Sequence, residues 1–507
     1  MKHGALAADF AVFGVCALTL LVGAFGVRVA RTTSDFYVAS RTVGSRLNAS
    51  AISGEYLSAA SFLGVAGLVL LRGVDSLWYP VGWTAGYLML LIFVAAPLRR
   101  SRAYTIADFA EFRLESLAAR RMTSAVVVLI GVLYLVPQLQ GAGLTLQTLT
   151  DAPNWVGAVI VAAVVLANVA AGGMRSITIA QAFQYWLKFW ALLIPLAWLL
   201  IRWHHEGSPH PHLNQTLWLE PMQRSHSGYL TYSLIAATFL GTMGLPHVAV
   251  RFYTNRDGTT ARRTTLVVLA MLSGFYLLPT LYGVLGRIYA SDLIASGHTD
   301  SVVLELPRRM LGATAGDLVS AVLAAGAFAA FLSTSSGLVV SVGGVVAQDL
   351  IGTRLPGVAA FRVAASAAAA VTLVIAIATT GLAVAHAVEL AFAVAASTLC
   401  PLLILGIWWR GLTSIGAMIG LALGGGLSAA AVGTVMLNVH LHGWPEAIVS
   451  QPALITVPVA FAAMVVGSLA TAHHKPEHLL RTMVRLHTPE EVDVDRGAFH
   501  PEARSVR

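Results

Sequence analysis

Charge is what this sequence has least of. Asp, Glu, Lys and Arg make up 11% of its 507 residues, against 57% hydrophobic residues and a mean hydropathy of +0.75. A water-soluble domain of this length needs far more charged surface, so the composition places the chain in a membrane. Cysteine is nearly missing as well. Cys16 and Cys400 are the only two, both inside apolar segments, which excludes a disulfide framework and a Cys-based metal centre. No P-loop, nucleophile elbow, zinc motif or Rossmann fingerprint stands in a suitable context, so no enzyme chemistry is expected and no cofactor is implied. The net charge of +8 does not point to nucleic acid, because the arginines are spread over short loops.

What remains is a series of apolar stretches long enough to cross about 30 Å of hydrocarbon as helices. They lack the alternation of a membrane β-barrel, and an all-α polytopic bundle is expected. Thirteen spans are predicted, at 6–28, 48–71, 77–98, 122–149, 154–171, 177–201, 228–250, 264–288, 316–348, 358–380, 384–408, 413–437 and 452–472. The first has no small-residue cleavage site and reads as a retained span.

With the N-terminus outside, 24 of the 32 Lys and Arg residues fall on the inner side, seven outside, and Lys188 within a span. The inner set includes Arg28, Arg31, Arg41, Arg46, Arg99, Arg100, Arg113, Arg120, Arg175, Arg251, Arg354 and Arg362. That asymmetry predicts an odd number of spans and a cytoplasmic C-terminus, in the inner or plasma membrane. The expected organisation is an extra helix and loop (1–47), a five-helix unit (48–202), an outer loop (203–227), a second unit (228–410), two further helices (411–473) and a polar tail (474–507).

Two spans are interrupted. The second carries Ser53-Gly54-Glu55 and the seventh carries Gly241-Thr242-Met243-Gly244-Leu245-Pro246. Freed backbone polar groups survive at membrane depth only when buried or facing a wet cavity. The breaks lie five spans apart, so each opens one unit, and the odd repeat length inverts the second. Breaks at matching positions of two halves point to a transporter binding site at the midplane.

In the ninth span Ala330, Ser333 and Thr334 stand at i, i+3 and i+4 on one helical face. Two hydroxyls and a carbonyl there could serve Na⁺, with further carbonyls from the broken second span, or the hydroxyls could glue helices together. Glu55, a carboxylate inside a span, reads either as a coupling or gating group or as a cap of the broken helix. Lys188 lies about 18 Å deep, which calls for a buried partner or a cavity, and it reads as an attractor of an anion or as half of an ion pair. Gln138 and Gln140, beside Pro137, read as substrate-facing or as interhelical donors. His247 reads as tying down the break after Pro246, and Glu389 as a solvated outer end. The outer histidines (His204, His205, His210, His212) fit no metal-site spacing.

Several runs carry a resemblance. Asp35-Phe36-Tyr37-Val38-Ala39 and Ala51-Ile52-Ser53-Gly54-Glu55-Tyr56-Leu57-Ser58-Ala59-Ala60-Ser61-Phe62-Leu63-Gly64 resemble the sodium:solute symporters. The wording is most similar to the acetate/monocarboxylate permease branch. Tyr104 to Phe109, Gly172-Gly173-Met174, Gly244 to His247 with Arg251-Phe252, and Ala391 to Ser397 with Pro401 match too, covering about 35 to 425.

The resemblance implies the inverted-repeat fold typified by the transporter LeuT, with spans 2–6 and 7–11 as its repeats. It also implies a Na⁺ site formed by the carbonyls of Gly54, Leu57 and Ala330 and the hydroxyls of Ser333 and Thr334. Two departures stand out: Gln181 replaces an acidic residue found in many members, and Glu55 replaces the Asp usual in the acetate-like branch. Some acetate-like relatives lack hydroxyls in the ninth span, so their retention here argues for Na⁺ over H⁺. The expectation is a Na⁺-coupled importer of a short monocarboxylate (acetate, propionate or pyruvate), with Ser58, Ser61, Gln138, Gln140 and Thr242 lining the site. The alternatives are the same fold carrying an amino acid, a sugar or a vitamin-like anion, or a membrane sensor, against which the short tail argues.

Overall fold

The computed structural model describes residues 2–27, 43–211, 216–222, 225–352, 355, 357–379, 384–437, 439–490, 492–493 and 498–499. The 35–39 motif, Arg28, Arg31, Arg41, Arg354, His212 and the end of the tail lie outside them. Beyond a two-residue antiparallel pairing of Val492–Asp493 with Ala498–Phe499, the regular structure among the described residues is helical.

Eleven helical stretches are long and apolar enough to cross a membrane, against the thirteen expected. The difference arises at two places. The stretch Ala60–Arg100 runs through both the second and third expected spans, and the apolar helix Asn154–Ala170 is short. The fifth and sixth expected spans belong to one continuous helix, Asn154–His205. Its Gly172-Gly173 is helical, although sequence reading placed a loop there.

The helices that build the centre follow in chain order. After α1 (Lys2–Val27) come α2 (Ser45–Tyr56), α3 (Val65–Arg72), α4 (Trp78–Met89), α5 (Ala95–Arg100) and α6 (Ile106–Leu114). They are followed by α7 (Leu117–Thr150), α8 (Asn154–His205), α9 (Ser227–Gly244), α10 (Pro246–Tyr253) and α11 (Gly258–Tyr289). The last group is α12 (Val302–Leu311), α13 (Ala313–Val346), α14 (Gly357–Ala378), α15 (Val384–Ser397), α16 (Leu399–Trp408), α17 (Ser414–Met436) and α18 (Ala453–Ala470).

Helix ends sit where sequence chemistry puts them. Thr105 and Asp108 form a reciprocal capping box at the start of α6, and Asp257 and Thr413 accept from the first-turn amides of α11 and α17.

Both halves are broken, the second within the expected run and the first a few residues later than expected, since Ser53-Gly54-Glu55 stays helical. Regular α-helix stops at Tyr56, and a wider π turn over Ala60–Gly64 restarts the chain into α3. In the second half α9 stops at Gly244, Leu245 is extended (φ −72°, ψ 119°), and Pro246 begins α10, where its missing N–H costs nothing. The broken α2 packs on α8, α11 and α13, whereas α9 lies between α4 and α15. A Cβ on Gly54 would run into the carbonyl oxygen of Gln181, so glycine lets α2 and α8 approach backbone to backbone. Large apolar side chains such as Phe10, Phe13, Ile194, Leu277 and Val374 remain exposed, as a surface that meets lipid requires.

Candidate functional site

The two breaks face each other, and two clusters of side chains surround them. The first joins α2, α8, α10 and α13. Ser333 donates its hydroxyl to the carbonyls of Gly54 (2.6 Å) and Ala330 (3.0 Å), and Thr334 donates to the carbonyl of Glu55 (2.6 Å). Four of the five expected cation ligands, Gly54, Ala330, Ser333 and Thr334, are therefore gathered where α2 meets α13, and the fifth, Leu57, joins them through Lys188.

The group among them is Lys188. Its Nζ donates to Gly54 O (2.5 Å), Leu57 O (2.8 Å) and Ser333 Oγ (2.9 Å), and its side chain is fully buried. Neither expected role fits: Lys188 bonds to no carboxylate directly, and backbone encloses its end. A further monovalent cation even 4 Å away would be repelled by roughly 4 kcal/mol at an effective dielectric of about 20. Nζ lies among the oxygens that were expected to hold Na⁺.

Beside the lysine lies the carboxylate that sequence reading left open. Glu55 accepts from Arg251 Nε at 2.5 Å, with both side chains buried. The same guanidinium donates to Thr178 (2.8 Å) and to the side-chain carbonyl of Gln181, whose amide donates to Ser333 O (2.7 Å). Gln181, noted as a departure from the acidic residue of many relatives, thus bridges the ion pair to α13. A Cβ on Gly337 would collide with the Glu55 carboxylate, so this glycine makes the pocket for it. The seventh expected span ends at 250, which puts Arg251 in an inner loop. The chain resumes as α10 and carries the arginine into the interior. The signal was available, since Arg251-Phe252 belongs to one of the matching runs.

The second cluster is an aromatic chamber on the other side of the break. Tyr56 meets Tyr87 edge-on (4.8 Å between centroids) and donates to Trp83 O (3.2 Å), while its hydroxyl is 3.0 Å from Thr242 Oγ1. Trp83, Tyr56 and Tyr134 surround Phe392 at 5.8 to 6.3 Å, and Trp83 also packs on Tyr276 at 5.8 Å. Four residues in this group keep buried polar atoms without partners among the described residues: Ser58 Oγ, Trp83 Nε1, Tyr87 Oη and both ring nitrogens of His247. His247 does not tie down the break; its ring packs on Tyr134 at 5.2 Å. The chamber aromatics were missed, but Tyr79, Trp83 and Tyr87 at i, i+4 and i+8 formed a legible stripe on one helix face.

The other expected lining residues separate. Ser61 shares a hydrogen bond with Tyr276 (3.0 Å) and sits at the chamber wall, and Thr242 does so through Tyr56. Gln138 accepts from the free amide of Ala59 (2.9 Å), repairing the break. Gln140 points away, donating to Ala376 O (3.3 Å), Thr379 Oγ1 (3.2 Å) and Thr379 O, so it fastens α7 to the end of α14.

Towards the outer end, Glu389 is not a solvated terminus. It is buried, accepts from Tyr79 Oη (2.6 Å) and lies 3.3 Å from His386, while its Oε1 has no partner among the described residues. Asp300, outside the spans, accepts the Val384 amide (2.9 Å), and burial pushes its carboxyl above the usual carboxylate range.

Two broken helices meeting at a buried polar centre, inside a bundle of apolar spans, define a secondary transporter of the LeuT-like inverted-repeat fold. The sequence profile of the sodium:solute symporter family matches residues 36–424. The chain belongs to that family. It is 29% identical over 481 residues to an uncharacterised symporter, YwcA, of Bacillus subtilis, covering 90% of this chain and 93% of the relative. It is 28% identical over 537 residues to a monocarboxylic acid transporter of Corynebacterium glutamicum, covering 97% and 96%.

Among solved structures, an outward-open, substrate-bound Na⁺-coupled sialic acid symporter superposes with a TM-score of 0.69 at 15% identity, over 92% of this chain and 98% of that one. The nucleobase-cation-symport-1 transporter Mhp1, closed around bromovinylhydantoin, superposes at 0.58 and 13% identity, over 90% and 99%.

Proposed function

We propose that this chain is a symporter importing a short monocarboxylate, such as acetate, propionate or pyruvate, through the inner or plasma membrane. The N-terminus lies outside and the C-terminus in the cytoplasm, as the charge asymmetry of the loops supports. Family membership supports Na⁺ as the coupling ion. The carrying observation for the cargo is the chamber's set of unpartnered donors. Trp83 Nε1 can only donate, and Tyr87, Ser58 and His247 can donate beside it. A carboxylate accepts several such bonds, while the rings of Tyr56, Tyr134 and Phe392 suit a short apolar tail. The monocarboxylic acid transporter relative supports the same reading.

Glu55 does not belong to the cargo site in this reading, because Arg251 already engages it. The roles of Ser58, Ser61 and Thr242 are to line or shape the chamber. Gln138 satisfies the amide freed at the break, and rocking of the helix bundle exposes the chamber to each side in turn.

A second reading, a solute that brings its own donors such as an amino acid or sugar, is favoured by one observation. Glu389 Oε1 lies unpartnered beside Tyr79, and an ammonium or hydroxyl would satisfy it.

Uptake of labelled acetate into proteoliposomes under an inward Na⁺ gradient tests the first reading. Accumulation inhibited by propionate and pyruvate, and unaffected by proline or glucose, is the expected result. Equal inhibition by proline or glucose overturns it.

A further inference from the structure

We infer that Lys188 is a built-in cation that takes the place of Na⁺ in the ligand set between α2 and α13, so that Na⁺ does not bind at that set in the native chain. The inference rests on the symporter reading of the fold but is independent of the cargo.

Three acceptors surround Nζ at 2.5, 2.8 and 2.9 Å. Two are backbone carbonyls, which can only accept. The third, Ser333 Oγ, spends its proton on the Gly54 or Ala330 carbonyl, so towards Lys188 it accepts as well. Nζ thus sits where these three oxygens converge, at the place a bound cation would take.

An interior lysine that needed only neutralisation would pair with a carboxylate. Here Glu55 accepts from Arg251 instead, and Lys188 Nζ is surrounded by uncharged oxygens, two from the broken helix and one from α13. Such oxygens replace the hydration shell of a monovalent ion. Glu55, Arg251 and Lys188 together carry one net positive charge, as an ion beside a neutral pair would. The difference is a tether. The charge is covalently part of α8 and cannot dissociate into either solution, so this corner keeps its cation throughout the transport cycle.

Binding of ²²Na⁺ to the purified full chain in nanodiscs tests the inference. Ser333→Ala should leave Na⁺ binding by the native chain unchanged. Lys188→Ala, which empties the set while leaving its oxygens, should gain a Na⁺ that the native chain does not bind, and adding Ser333→Ala should remove that gain.

A weakening of native Na⁺ binding by about tenfold or more on Ser333→Ala overturns the proposal. So does a monodisperse Lys188→Ala protein that gains no Na⁺. If Lys188→Ala does not fold, the comparison of native chain with Ser333→Ala decides by itself. Failure of acetate uptake with this pattern intact would overturn only the monocarboxylate reading.

Discussion

The corner around Lys188 and the chamber around Phe392 lie on two sides of one helix break, yet they treat polar groups in opposite ways. In the corner, Lys188, Ser333, Thr334, Gln181, Arg251 and Glu55 are all engaged, and the acceptors freed by the broken helix are used by the chain itself. In the chamber, Trp83, Tyr87 and His247 keep buried polar atoms without partners among the described residues, and Ser58 Oγ lies beside the Tyr134 hydroxyl. An unmade buried hydrogen bond costs about 1–3 kcal/mol, and such atoms also occur singly elsewhere, as at Arg113 and Asn168. In the reading proposed above, saturation belongs to the part that holds the structure together, and the cluster of unmade bonds to the part that would receive a guest.

The contrast can be broken most severely at the ion pair. Arg251→Ala strands the Glu55 carboxylate in the interior, and a loss of about 3–5 kcal/mol is expected. Thermal melting in detergent measures it, with partial recovery when Glu55→Gln is added. A loss under about 1 kcal/mol would mean that the corner is not the brace described here.

A chamber change should do the reverse. Trp83→Phe removes a donor that bonds nothing among the described residues, so melting should hold while the KM for acetate rises about tenfold, near 1.4 kcal/mol. An unchanged KM would detach the indole from the cargo.

The smallest effect is expected at Gln140. Its bonds to Ala376 and Thr379 are a packing matter, and Gln140→Ala should cost about 1 kcal/mol of stability without moving KM. A shifted KM would restore the lining role that its place beside Pro137 suggested.

Much of this was legible in the residues, for reasons that can be named. Apolar length and the interruptions at Gly54 and at Gly244-Leu245-Pro246 are local properties, and they led to the broken-helix fold. The Ala330, Ser333 and Thr334 face is local too, because helical spacing alone puts those groups together. What occupies that face is not local. Lys188 is 134 residues from Gly54 and 145 from Ser333. Its depth in a span announced a need for partners without saying which. Arg251 was hidden for a different reason: it lies one residue past the expected end of the seventh span, and only the course of the helix Pro246–Tyr253 shows that it is carried into the interior. The span count differs where Gly73–Leu77 joins α3 to α4 as a tight helical turn, so that Ala60–Arg100 runs as one stretch despite Arg72 and Asp75.

The carbonyl of Gly54 accepts from both the Lys188 ammonium and the Ser333 hydroxyl. One oxygen therefore works as a rivet through three helices, α2, α8 and α13. A rocking motion that pulled α13 alone from α2 would have to shear both bonds at that atom together. The cheaper motion carries the three as one block and lets the remaining helices swing past it. The boundary of the moving part is then drawn by what is fastened to a single glycine rather than by the ends of the repeats.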